Sequence, residues 1–186
     1  IMGYNVRTQL AKVLPLIGFV PQEIALYPTL TVEQNLRFFG NLYGLRGLFL
    51  KEKIELCLEI AQLQRFRDKH VGTFSGGMKR RANLVAGLIH DPKILFLDEP
   101  TANVDPQSRN MIYESLVKLI NNGMTMIYTT HHLEEAEMLC SRLAIIDDGK
   151  LIALGAPDEL VKQTQGCQDL GELFLNLTGK NLRDEE

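Results

Sequence analysis

The sequence predicts an α/β protein with a mostly parallel sheet, and three observations carry that expectation. Short apolar runs alternate with stretches of helical periodicity. The run Ile94-Leu-Phe-Leu97 is continuously apolar, as strands buried on both faces of a parallel sheet are. Asp98 and Glu99 fall where that strand ends, the place where ligands sit in open α/β sheets, and Pro100 stops the strand. Neighbouring carboxylates repel, and a Mg²⁺ ion with hard oxygen ligands would settle their charge. Taken alone, the pair fits equally well a strand that ends in two solvated acids.

The elements follow in order. Ile1–Asn5 reads as the tail of a strand running into a turn. Leu16–Val20 is a short apolar strand that Pro21-Gln22-Glu23 ends. Thr31-Val-Glu-Gln34 matches a capping box and opens a helix with Leu36, Phe39 and Tyr43 on one face. Gly44 and Gly47 break it, and a second helix runs from about Lys51 with Ile54, Cys57, Leu58 and Ala61 at helical spacing. Residues 31–72 thus form a helical insert between strands, because both helices need a partner for their apolar faces.

Ser75 is a good N-cap for a helix to about His90, which Asp91-Pro92 ends. Beyond the central strand, a helix spans about Pro106–Asn121 and Gly123 closes it. Met124–Thr130 is a strand with His131 at its end, and a helix follows over Leu133–Cys140 with Glu134, Glu135 and Glu137 in its early turns. Asp148-Gly149 between Leu143–Asp147 and Lys150–Ala153 is a tight hairpin signal. Two short helices finish the chain, the last with Leu170, Leu173, Phe174 and Leu177 as an apolar stripe.

Composition narrows the class. Of 186 residues, 45% are hydrophobic and 23% charged, ordinary for a soluble globular protein. The net charge of −3 supplies no basic field for nucleic acid. No apolar run reaches the roughly 18 residues of a membrane span. Cys57, Cys140 and Cys167 are scattered without metal-like spacing and read as reduced thiols of a cytosolic protein.

Four polar features therefore lie at strand ends or at a helix start: Gln22, Ser75-Gly76-Gly77, Asp98-Glu99 and His131. Each has a plain alternative: a turn residue, a loop with a cap, solvated acids, a surface histidine. Lys79-Arg80-Arg81 reads as a solvated helix face. The plain readings leave the joint occurrence, in this order, unexplained.

From Gly3 to about Arg183 the chain resembles the nucleotide-binding domain of ABC transporters. Phe74-Ser-Gly-Gly-Met78 resembles the family's signature motif, usually LSGGQ; Ile94–Glu99 resembles the Walker B strand with its glutamate. Thr101-Ala-Asn-Val-Asp105 resembles the D-loop, Phe19-Val-Pro-Gln22 the Q-loop, and Thr130-His131 the switch histidine. Leu30–Leu36, Thr101–Pro106 and Phe174–Gly179 are similar to segments of the ATPases of drug, lipid and polysaccharide exporters.

The resemblance implies a RecA-like P-loop NTPase core, with residues 31–90 as a helical signature subdomain inside a single domain over 1–186. It implies ATP and Mg²⁺ as cofactors, and as partners a transmembrane permease subunit and a second nucleotide-binding domain, on the cytoplasmic face of a membrane. Ser75, Gly76 and Gly77 would hold the γ-phosphate of an ATP bound mainly by the opposite protomer, since glycine amides at a helix N-terminus attract anions. Asp98 would hold Mg²⁺ through water, Glu99 would act as general base, and Gln22 would line the metal and water while sensing the permease. His131 would contact the γ-phosphate, and Asp105 would communicate between the two sites of a dimer.

The sequence departs from the family in Phe74 for Leu and Met78 for Gln, which leave the glycine amides intact. It also contains no G-x-x-x-x-G-K-[ST] phosphate loop: Gly149-Lys150 and Gly179-Lys180 lack the upstream glycine. The expectation is an N-terminally truncated ATPase domain that alone does not bind ATP normally. The phosphate-loop strand would belong between the strands at Thr130 and Leu143, so a gap, a repacked sheet or an edge filled by another chain is expected. Two other functions fit the motifs: a non-catalytic partner that donates its signature face to a complete protomer, and an ABC-type ATPase acting on nucleic acid or ribosomes. The latter class carries basic or coiled-coil extensions, which these residues lack.

Overall fold

In the computed structural model, which describes residues 1–164 and 166–179, strands and helices alternate as expected. The chain divides into two compact units, Ile1–Thr129 and Thr130 onward.

The first unit opens on a short helix, α1 (Leu10–Val13), and strand β1 (Ile17–Val20). Ile1–Asn5 holds a turn instead of the expected strand tail: the Tyr4 amide donates to the Ile1 carbonyl at 2.8 Å, and Met2 and Gly3 take positive φ. The insert follows as α2 (Val32–Leu42) and α3 (Gly47–Ile60). The capping box is present in full: the Gln34 amide donates to Thr31 Oγ1 at 3.1 Å, and the Thr31 amide to Gln34 Oε1 at 2.9 Å. The predicted stripe on α2 is corrected. Leu36 is core, but it is Val32, Asn35 and Gly40 that join it, while Tyr43 is exposed. Asn35, fully buried, accepts from the Tyr27 amide at 2.8 Å and donates to the Tyr27 and Thr31 carbonyls at 3.0 Å each, pinning the loop before α2. Helix α3 begins at Gly47, earlier than Lys51. Arg67 then bridges Glu33 of α2 and Glu55 of α3, at 2.8 Å each.

Helix α4 (Gly76–Leu88) leads to strand β2 (Ile94–Asp98), helix α5 (Pro106–Asn121) and strand β3 (Thr125–Thr129). The three strands form one parallel sheet in the order β1-β2-β3, with Phe19 opposite Phe96 and Phe96 opposite Ile127. Helix α4 covers one face. It comes close because glycines meet there: a Cβ on Gly18 would stand 2.3 Å from the Gly87 carbonyl oxygen. Leu95 and Leu97 are buried on this face, and Ile94, Phe96 and Asp98 are half-buried on the other, where Phe19 is 58% exposed. The central strand is thus fully buried on one face only, not on both.

His90 closes α4 against β1. Its Nε2 donates to the Ile17 carbonyl at 2.9 Å, and its ring lies flat on Tyr43, centroids 3.6 Å apart. Burial pushes this imidazole below its ordinary 6.5, against the pull of the Ile17 bond. Among the described residues the buried Nδ1 has no hydrogen-bond partner. The unfolded chain therefore takes up this proton first as the pH falls. The stability His90 contributes is full above about pH 6.5 and lost below it as the pH approaches the lowered folded value. Urea midpoints of wild type and His90→Gln should converge as the pH drops from about 7 to 5. A gap constant across that range would contradict a neutral His90.

The second unit contains α6 (Leu133–Leu139), the antiparallel hairpin β4 (Leu143–Asp147) and β5 (Lys150–Gly155), α7 (Pro157–Gln163) and α8 (Leu170–Thr178). Asp148 and Gly149 both take positive φ, +47° and +74°, the backbone that a two-residue hairpin turn requires. Leu170 and Leu173 pack with Ile145 as the core of this unit, and Leu177 stays 38% exposed. Among the described residues strand β3 pairs with β2, and β4 pairs with β5. Lys180–Arg183, where the resemblance ends, lie outside the described residues.

Candidate functional site

The parallel register brings the carboxyl ends of β1, β2 and β3 level, with Val20 opposite Leu97 and Asp98 opposite Thr129. Gln22 follows β1 and Glu99 follows β2. Gln22 Nε2 donates to Glu99 Oε2 at 3.0 Å. The Thr129 hydroxyl donates to Asp98 Oδ1 at 2.6 Å, and the Glu99 amide donates to the Thr129 carbonyl at 3.1 Å. Three predicted residues, Gln22, Asp98 and Glu99, are thus assembled across the sheet end, with Thr129 as a fourth.

Glu99 has φ +43°, a left-handed backbone that side chains other than glycine adopt at a penalty. The turn is held by the Ala102 amide donating to the Glu99 carbonyl at 3.1 Å. A strained backbone beneath a carboxylate that accepts from Gln22 makes this position a candidate for function.

A second cluster forms where α4 meets α5. Ser75 caps α4, accepting from the Met78 amide at 3.3 Å. Asp105 caps α5, accepting from the Ser108 amide at 2.9 Å. The bonds from the Ser108 amide and then its hydroxyl hold the Asp105 carboxyl below the ordinary carboxylate range. Gly77 lies against this cap: a Cβ there would stand 2.0 Å from Ser108 Oγ, whereas a Cβ on Gly76 would meet no heavy atom of the described residues within 4 Å. The Gly76 position is therefore open to a ligand, and Gly77 is closed onto the Asp105 loop. Phe74 is buried, its ring edge-on to Phe66, so its exchange for Leu serves packing.

His131 belongs to the second unit. Its ring lies 4.2 Å from that of His132, and beside it the Thr130 hydroxyl accepts from the His132 amide and donates to Glu135 Oε2 at 2.9 Å.

The solvated reading of Lys79-Arg80-Arg81 is corrected. Arg80 and Arg81 are each 7% exposed. Arg81 donates to the Ala61 carbonyl at the end of α3, and Arg80 to carbonyls flanking the site. Gly77, Arg80 and Leu84 are all buried on α4, a spacing of three and seven. Every residue from Arg80 to Ala86 is buried, so no single-face periodicity marked Arg80. Nothing local marked Thr129.

Among the described residues no three His, Cys, Asp or Glu side chains converge as a metal cage. Asp98, Glu99 and the Gln22 amide bring hard oxygens to the sheet end. That fits Mg²⁺, which is bound by one or two carboxylates and keeps water and phosphate oxygens for the rest.

The sequence profile of the ABC transporter family matches residues 3–102. The chain is 49% identical over 165 residues to the linearmycin resistance ATP-binding protein LnrL of Bacillus subtilis (strain 168), covering 88% of this chain and 53% of that protein. It is 43% identical over 169 residues to the Nod factor export ATP-binding protein I of Burkholderia lata, covering 91% and 55%. A solved ATP-binding subunit of an ABC transporter superposes with a TM-score of 0.82 at 27% identity, covering 96% of this chain and 75% of that one. The chain spans about half the length of the curated relatives it matches.

Proposed function

Since this chain belongs to the ABC transporter family of ATP-binding proteins, we propose that it is part of the ATP-hydrolysing subunit of an exporter. The observation that carries this reading is the sheet end where Gln22 bonds the strained Glu99 beside Asp98. Export is supported by the names of its relatives, one a resistance protein and the other an export protein.

Glu99 takes a proton from the attacking water, and the Gln22 amide holds its carboxylate on line. Asp98, kept in place by Thr129, would hold Mg²⁺, which when bound neutralises charge on the phosphate oxygens. Ser75 and the amides of Gly76 and Gly77 receive the γ-phosphate of an ATP seated mainly on a second nucleotide-binding domain. His131 donates to the γ-phosphate, and Asp105 links the two sites of the pair. Residues 31–90 serve as the helical signature subdomain.

Among the described residues no helix is long and apolar enough to cross a membrane. Because its relatives are named as ATP-binding proteins, the reading assigns the path to a separate permease subunit, with this subunit on the cytoplasmic face. The test is the full-length protein co-expressed with its permease and reconstituted in vesicles. ATP-driven cargo movement and phosphate release, both abolished by EDTA, are expected. Turnover that survives metal removal, or none at all in the assembled complex, would overturn the reading.

A further inference from the structure

Arg80 is a buried cation that the roles above leave unused. Its Nη1 donates to the Gln22 carbonyl and, at 3.5 Å, to that of Pro21; its Nη2 donates to the Ala102 carbonyl at 3.2 Å. The acceptors are main-chain oxygens from two separate loops, one bearing Gln22 and the other following Glu99. One turn along α4, Asn83 (3% exposed) grips the first loop again. Its Nδ2 donates to the Pro21 carbonyl at 3.2 Å, and its Oδ1 accepts from the Ala25 amide at 3.0 Å. Burial pushes the Arg80 guanidinium below its ordinary value, and the charge of Glu99 opposes that.

Helix α4 is therefore a shaft with a free N-terminal end and two attachments. Its N-terminus carries Ser75 and Gly76, its Gly77 abuts the Ser108 cap, and its Arg80 holds the loops on either side of the Gln22–Glu99 bond. A planar guanidinium can reach acceptors on two loops at once, because its N–H groups diverge in a rigid fork; an ammonium is a point charge on a flexible stem.

We infer that Arg80 is a positioning residue for the ATPase reaction: by fixing the main chain at Gln22 and Ala102, it holds the Gln22 amide on Glu99 and ties that pair to the helix bearing the signature glycines. The inference rests on the proposed role of Glu99. If it holds, substitution loosens the site without touching nucleotide.

The test uses Arg80→Gln and Arg80→Lys in the full-length protein with its permease. Expected is a kcat lowered by about 10- to 100-fold with the KM for ATP changed by less than about twofold. Arg80→Lys should recover part of the loss. Amide hydrogen exchange should rise in peptides covering residues 21–25 and 101–105, and not in those covering β4 and β5. Wild-type kcat in a folded Arg80→Gln protein overturns the inference, and so does lost turnover with unchanged exchange in both loops. If Arg80→Gln does not fold, Arg80→Lys carries the same readouts. If the wild type shows no ATPase, the function reading fails on its own. The exchange arm then decides the clamp: faster exchange supports the tie, and unchanged exchange refutes it.

Discussion

Glu99→Gln in the full-length protein is expected to lower ATP turnover by about 10²–10⁴-fold, the usual effect of removing a general base. The amide keeps the size of the carboxylate and still offers Gln22 Nε2 an oxygen, so the 3.0 Å bond across the sheet end persists. What it loses is a site for the proton of the attacking water. Nucleotide binding should remain, since charge near the phosphates becomes less negative.

A companion variant separates chemistry from folding. Glu99 sits at φ +43°, and glycine would relieve that backbone at a gain of about 1 kcal/mol. Glu99→Gly should therefore melt no lower than wild type and still be inactive. Phosphate release by Glu99→Gln at the wild-type rate would remove Glu99 from the mechanism. A Glu99→Gly protein that melts far lower would mean the side chain is structural.

The second large effect separates the two signature glycines. Gly77→Ala is expected to destabilise the fold by about 1–3 kcal/mol, the range for overpacking, because its Cβ would stand 2.0 Å from Ser108 Oγ and 2.3 Å from Ser108 Cβ. The neighbour must move, and with it the cap that Asp105 makes on α5. Removing the obstacle should restore much of the loss, so the double variant Gly77→Ala with Ser108→Gly should be more stable than additivity predicts. Gly76→Ala meets nothing within 4 Å among the described residues and should leave the unfolding free energy, read from urea titration, within about 0.5 kcal/mol of wild type. It should nonetheless abolish ATP-dependent pairing, measured by light scattering, if Gly76 receives the phosphate as proposed, since the methyl would then stand in its way. Equal destabilisation by the two alanines would contradict this division.

Much of the site was legible because its signals are local. Thr31 to Gln34, Ser75 and Asp105 are caps whose partners lie three residues away, so chain chemistry alone sets them. The Asp148-Gly149 turn likewise needs only its own two residues to reach positive φ. The order of Gln22, Ser75-Gly-Gly77, Asp98-Glu99 and His131 could be read directly, and with it the family.

What the sequence determined by itself is this set of elements and the placing of acids and glycines at their ends. Only the tertiary structure decided which helix face turns inward. Arg80 and Arg81 sit in a run of cations that reads as a wet surface. They are buried because carbonyls at Gln22, Ala102 and Ala61, remote in the chain, come within reach of their guanidinium groups. The Thr129 hydroxyl on Asp98 and the Gly77 contact with Ser108 have the same origin. Periodicity and capping are short-range properties of the chain. The satisfaction of a buried charge depends on acceptors that only folding brings together.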